Sequence, residues 1–481
     1  MRSMTWLWLI AAGGAAPMAC TFGADDFKVV AAGSGGDNVN GGGDATAGKG
    51  TGGKTVNTGG DGNPGTGGAP DTSNAGAGTD TPTAGAGGAG EPTMLVCATR
   101  GLKLTLFSPT DLQGQTLDKF ALINGGGTSA YALATTGGGM GMNALIAVRR
   151  VTDAMTSPVA ELKVFAGMDH YTYGGAYVAD DAVHVIGADQ RGVFDVSFAI
   201  VNGQLSMDAP VVTTLETPTS CANGVGSVRD MRAVYDDLHL TYIVTCQTSN
   251  NTGFSLWVRG VDKTLAQLGT TSNDPTLIIR QYVHSKDGTM LLATGDEFGP
   301  NLDLRHGKTA IELTKPQLLT IDTTKDPTLF QSALLLPLSD SSGTFLLDMT
   351  IHDPSVGSVT PATLYGGAFK TADYPSFAEA PPPLFKQMVR YTKSADVVLP
   401  NDGAVRANDA LLAAGDPLAT SAVYAWMVDL TGNTVSNRLT VYEKGGTVDE
   451  AHTVQLGAGF LVGWRETDTT ASIVGRNLGC F

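Results

Sequence analysis

Charge is scarce in this 481-residue chain: Asp, Glu, Lys and Arg together make up 16% of it, against roughly a quarter in ordinary soluble proteins. Basic charge is the scarcer kind, with 30 Lys+Arg facing 46 Asp+Glu and a formal net charge of −16. Only 4 basic and 8 acidic residues precede Thr93, so the remainder holds 26 against 38, a net charge of −12. A surface of that sign speaks against nucleic acid and anionic lipid as partners. Long apolar runs are missing too. Beyond residue 20 no stretch approaches the ~18 uninterrupted apolar residues of a membrane-spanning helix. No stretch of 12 or more residues carries a helical apolar stripe, which excludes an α-helical core; the best short helix candidate is Asn408 to Ala414. Cysteine is rare, with five in all, and none sits in CxxC or Cys/His zinc spacing. GxSxG, HExxH and the DxDxDG calcium loop are absent, and Asp322-Thr323-Thr324-Lys325-Asp326 lacks the glycine and regular oxygens of the last. No catalytic residue, metal ligand or cofactor site is therefore expected.

What is abundant is glycine, and it is unevenly placed. Of 63 glycines, 22 lie between Gly33 and Gly90, and 38 are spread over the 391 residues from Glu91 onward. They keep no three-residue period, which excludes collagen. A hydrophobic content of 42% excludes disorder of the whole chain. The dense segment has too few large apolar side chains to offset an ordering cost of ~1 kcal/mol or more per residue, so residues 20–93 are expected to form a disordered tether. As a Gly-rich coil of about 70 residues it would span roughly 45–50 Å on average. Gly48-Lys49-Gly50-Thr51-Gly52-Gly53-Lys54-Thr55 satisfies the phosphate-loop pattern GxxxxGK[ST]. No strand precedes it and no helix follows, so nothing would aim backbone N–H groups at a phosphate, and the match is compositional.

The first 19 residues read as a signal peptide: Arg2, an apolar run from Trp6 to Ala16, then small residues. Cys20 follows Ala19 directly and opens the polar Gly-rich region. In this the chain resembles bacterial lipoproteins, matching their box at Ala19 and Cys20 and departing from it at Pro17. The resemblance implies that Cys20 becomes a lipidated N-terminus and that membrane attachment is by the lipid anchor. Thr21 is not an acidic retention signal, so by the same resemblance the destination is the cell envelope of a Gram-negative-type bacterium, at the outer membrane or cell surface. Setting Cys20 aside leaves an even four cysteines.

From Met94 the pattern changes to short β-branched and aromatic runs between Gly, Asp, Asn and Pro turns: ALIAV (144–148), AVHVI (182–186), LTYIV (240–244), FSLWV (254–258) and GFLVGW (459–464). These read as strands. An element of strand, Asp/Asn-Gly turn and Thr/Leu/Val recurs, with turns near 114, 154, 203, 264, 307, 356, 432 and 479, a spacing averaging about 52 residues. A second series of hairpin turns runs in step with it at Asp180-Asp181, Asp236-Asp237, Asp287-Gly288, Ser342-Gly343, Asp402-Gly403 and Gly457-Ala458. Units near 50 residues with about four strands each point to an all-β chain, a β-propeller of about seven blades over 94–481. Tandem β-sandwiches are the alternative. The stretch 459–478 resembles blades of secreted bacterial propellers, in which a strand ending in Trp precedes one ending in a Gly-Arg turn.

An exported location favours disulfides. Four cysteines allow three pairings, and ring closure favours Cys97 with Cys480, near the two ends, leaving Cys221 with Cys246. Two further matches carry little. Gly139-Met140-Gly141-Met142-Asn143-Ala144 has the form GxGxxA but no βαβ context, and reads as a hairpin loop. Ser285-Lys286-Asp287-Gly288-Thr289 is an incomplete Asp-box and reads as a turn. His184, His239 and His284 lie near equivalent hairpins of successive units; a joint metal or acid/base role would need them within ~5 Å of one another beside a carboxylate. The reading is a binding or scaffolding module for a protein or glycan. The competing class is a carbohydrate-active hydrolase or lyase, which would need paired carboxylates in a deep aromatic pocket.

Overall fold

The computed structural model describes residues 96–480 apart from stretches between strands, the longer of which are 217–227, 353–362, 371–388 and 391–401. The signal peptide, Cys20 and the Gly-rich segment lie outside the described residues. So does Cys221.

The described residues form seven antiparallel sheets. In chain order they begin with the strands Lys119–Asn124, Thr172–Ala179, Val228–Tyr235, Ile278–His284, Leu329–Pro337, Asp402–Arg406 and Val448–Leu456, and are called blades 1 to 7. Within blades 1 to 6 the strands follow one another in sequence order from the innermost outward. Each first strand packs against the first strand of the next blade, and that of blade 7 returns to that of blade 1. This cycle is a closed ring of seven blades with the first strands innermost. It is the β-propeller expected from the repeat, and a cyclic order of this kind excludes tandem sandwiches.

The ring is closed by a strand from the other end of the domain. Blade 7 runs Val448–Leu456, Gly459–Glu466, Ser472–Cys480, and its outermost strand is Cys97–Phe107. Cys97 stands directly opposite Cys480 in that pairing. The two are joined by a disulfide with Cα atoms 4.1 Å apart, across a sequence separation of 383 residues.

The core lies between blades. Ile123, Leu133 and Ile146 of blade 1 pack with Val185, Val196 and Phe198 of blade 2, and Phe460 and Trp464 of blade 7 pack with Leu411 and Met427 of blade 6. Each such fully buried side chain contributes roughly 1.5–3 kcal/mol. Second strands such as Ser129–Thr135 and Leu240–Gln247 are covered on both faces and so read as unbroken apolar runs. That explains one misreading: Asn408 to Ala414 is not a helix, because Asp409–Asp416 is the second strand of blade 6, with Ala410 to Ala414 fully buried. Close packing of innermost strands sets the Tyr-Gly-Gly sequence at 173–175. A Cβ on Gly175 would lie 2.2 Å from the carbonyl oxygen of Ala233 in blade 3.

Of the expected hairpins, Asp180-Asp181 and Gly457-Ala458 are turns between first and second strands, with φ of 48° and 54° at the two aspartates and 59° at Gly457. Asp402-Gly403 is not a turn. It opens the first strand of blade 6, and the reversal comes at Ala407, where φ is 46°. Asp402 stands there because its carboxylate accepts the backbone N–H of Gly403 and of Thr453 in the next blade. Gly475-Arg476 likewise lies inside the strand Ser472–Cys480 rather than at its end, and Gly475 makes room for Leu106 and Leu461.

Candidate functional site

A group of titratable and aromatic side chains spans blades 2 to 4, beside the hairpins joining first to second strands. Tyr177, on the first strand of blade 2, pairs across the sheet with His184 on the second. Side chains facing one another in a sheet share a face, and here the rings stack, 4.8 Å between centroids and 6° apart in plane. Tyr235, at the end of the first strand of blade 3, stacks on Tyr177 at 4.1 Å and 16°. Asp195, on the third strand of blade 2, meets Nδ1 of His184 with its Oδ2 at 2.8 Å. The result is a three-ring stack across two blades, oriented by one carboxylate. Burial pushes the Tyr177 hydroxyl well above its ordinary value, and the charge of Asp195 adds to it. The phenol therefore stays neutral.

One residue beyond Tyr235, buried Asp236 serves as a second hub. Its Oδ1 accepts the backbone N–H of Leu238 and of His239. Its Oδ2 lies 3.3 Å from Nδ1 of His239 and 3.5 Å from Nδ1 of His284, on the first strand of blade 4. Two of the three expected histidines thus share a carboxylate. His184 stands apart on its own partner. No group of three His, Cys, Asp or Glu among the described residues could hold a metal ion.

An unexpected pair repeats this arrangement between blades 6 and 7. Asp402 Oδ2 lies 3.3 Å from Nδ1 of His452, and the imidazole meets Phe120 of blade 1 edge-on at 4.6 Å. Both side chains are sealed, at 1% and 2% exposure. Burial raises the Asp402 carboxyl, while hydrogen bonds from His452, Thr453 and Gly403 pull the other way. Other blade-to-blade ties are the Tyr282 hydroxyl donating to Thr241 Oγ1 at 2.7 Å and the Tyr242 hydroxyl donating to Glu216 Oε2 at 2.7 Å. Asp402 and His452 are 50 residues apart, one repeat, and this spacing is the signal by which they could have been found.

Proton exchange with a substrate needs a reachable nitrogen. His284 and His452 are fully enclosed, and Nε2 of His184 is buried. Among these histidines His239 is the most open, with 35% of its side chain exposed. The arrangement orients rings and ties blades. A pocket of about 170 Å³ lies at the junction of blades 7 and 1, lined by Arg100, Asp153, Phe460 and Asn477 among others. It holds a single carboxylate, where glycosidic hydrolysis ordinarily uses two.

Of the remaining sequence expectations, Cys246 is disulfide-bonded, while its expected partner Cys221 is outside the described residues. Gly139 falls in sequence between the second and third strands of blade 1, and 138–142 lie outside the described residues, as do Ser285 to Asp287. No helix among the described residues is long and apolar enough to cross a membrane.

No protein-family model and no curated protein matches the chain. Solved structures with a similar course of the backbone include the WD40 domain of Toxoplasma gondii coronin, at 9% identity and a TM-score of 0.44, covering 80% of this chain and 86% of that one. The polysaccharide lyase Uly1 is similar at 9% identity and 0.41, covering 80% and 98%. Trypanosoma rangeli sialidase is similar at 10% identity and 0.35, covering 76% and 55%.

Proposed function

We infer that this chain is an exported, lipid-anchored surface protein whose propeller serves as a binding or scaffolding module. The observation that carries the binding reading is the use of the polar side chains. The histidines, aspartates and tyrosines best suited to chemistry are spent between blades, at Tyr177–His184–Tyr235, Asp236–His284 and Asp402–His452, where they hold a rigid ring. A rigid ring leaves its loops and rim to a partner, a protein or a glycan. Attachment through Cys20, at the outer membrane or cell surface, rests on the signal peptide and the cysteine that follows it.

Two measurements test this. Cells expressing the full chain and fed an alkyne-bearing fatty acid should label it, and Cys20→Ser should abolish the label; a label that survives the substitution refutes anchoring at that residue. Mature protein should retain a protein or glycan from cell-surface extracts without turning over glycans. Release of reducing ends or unsaturated sugars from a polysaccharide panel would instead make it a carbohydrate-active enzyme.

A further inference from the structure

The outer strand of a blade presents a row of unpaired backbone N–H and C=O groups, and native proteins usually blunt such an edge with charge, a bulge or a covering element. Blade 7 does so with Arg100 and Lys103 and an irregular stretch between Arg100 and Leu104. In blade 3 the short helix Ala310–Leu313 packs against the outer strand Leu265–Thr270. Blade 2 does neither along most of its edge. Its outer strand, Val211–Glu216, reads Val-Val-Thr-Thr-Leu-Glu, has no charge before its last residue, and is exposed over its first four residues.

The apolar exposure around it is concentrated. Val201, Met207, Val211 and Val212 are exposed at 53%, 91%, 62% and 42%, and they account for half of the large exposed apolar side chains among the described residues. Val201 ends the strand Gly192–Val201, Val211 and Val212 belong to the strand that pairs with it, and Met207 lies between them in the chain. The edge is therefore extended, apolar and β-branched: the kind of template to which another strand adds through main-chain hydrogen bonds.

The chain carries one segment suited to it. Between residues 21 and 93 the only cluster of large apolar side chains is Phe27-Lys28-Val29-Val30. It is β-branched, and Phe27, Val29 and Ala31 would fall on one face of a strand, with Lys28 and Val30 on the other. Lys28 is also one of only four basic residues before Thr93, and it would approach a domain of net charge −12 at an edge with Asp208 beside one end, while Glu216 at the other end is already paired with Arg259. Reach is sufficient. Taken as a Gly-rich coil of about 64 residues, 32–95 would span roughly 40–48 Å on average. They rejoin the domain at the outer strand of blade 7, two blade steps along a ring whose radius of gyration is about 21 Å.

We propose that Phe27–Ala31 adds to Val211–Glu216 as a further strand of blade 2, so that the chain covers its own exposed edge. The proposal stands whether or not Cys20 is lipidated. In an antiparallel ladder alternate residues of Val211–Glu216 point their N–H groups outward, and only an added strand would slow their exchange. Hydrogen exchange of the mature chain should show those amides protected about tenfold or more relative to the variant Phe27→Asp with Val29→Asp. A variant lacking 24–34 should behave like the double substitution, and a synthetic peptide of residues 24–34 should restore protection to it. Protection of Val193–Ser197, on the inner side of the edge strand, should be the same in all three proteins. Equal exchange at 211–216 in wild type and variants overturns the proposal. So does protection that grows with protein concentration and persists in the variants, because the occupant would then be a second copy.

Discussion

Tyr177 has a ring on each side of it, one from its own blade and one from the next. If the contact with Tyr235 is a tie between blades rather than coincidental proximity, the two tyrosines should be energetically coupled. Substituting Tyr177→Leu and Tyr235→Leu singly and together should give a coupling of about 0.5–1.5 kcal/mol by denaturant unfolding. Additive losses would mean the stack contributes only buried area. At Asp402 the expectation concerns pH. Burial raises its carboxyl above the ordinary 3.8, so the folded protein keeps a proton that the unfolded chain has already lost. Stability from this group is then greatest below the ordinary value and declines as pH rises toward the raised one. Compared with Asp402→Asn, wild type should lose ground in Tm from about pH 4 upward, until Asp402 is ionised in the folded state. A wild-type advantage that instead grows over that range would show the hydrogen bonds from His452, Thr453 and Gly403 to be dominant.

Among the elements, the first strand of blade 2 is tightly constrained at Gly175. Gly175→Ala would place a methyl 2.2 Å from a backbone oxygen of blade 3, which has no freedom to swing aside. The expected loss is roughly 1–3 kcal/mol or more in unfolding free energy. Gly137→Ala, where a Cβ meets only Asp118 at 3.9 Å, should change stability by less than about 0.5 kcal/mol. Such positions also mark how far a sequence can be read. Strand runs such as Ala182–Asp189 and Gly459–Glu466 were evident because β-branched and aromatic residues follow one another between turns. Asp409–Asp416 was not, because a strand covered on both faces loses the alternation that distinguishes it from a short helix. Asp402-Gly403 looked like a hairpin by composition, since the capping role of its carboxylate depends on Thr453 in another blade. The candidate site was hidden for the same reason. Tyr177, Asp195 and Tyr235 have no local signature, and their meeting is decided by register within blade 2 and by the approach of blade 3.

For the whole molecule, the repeat of about 52 residues and the two cysteines near the ends were enough to anticipate a ring. The closing bond should matter in proportion to the loop it spans. Replacing Cys97 and Cys480 by serine should lower the unfolding free energy by up to about 5 kcal/mol, as the chain-entropy account gives for a loop of 383 residues. In that variant the amides of Cys97–Phe107 should lose exchange protection before those of Gly459–Glu466, which keeps a partner on both sides. Simultaneous loss across blade 7 would mean that the outer strand is not the weak point.

The position of that bond also has a mechanical meaning. Cys97 is the first residue of the closing strand, so a pull arriving through the residues just before it, as it would once a strand added at blade 2 has let go, reaches the propeller there. Without the disulfide such a load would peel Cys97–Phe107 away one hydrogen bond at a time, beginning at its free end. With it, the force passes at once into Cys480 and the strand behind it, and the edge most exposed to unzipping carries almost none of the load. A domain held at a surface in moving fluid would need its fastening at that residue.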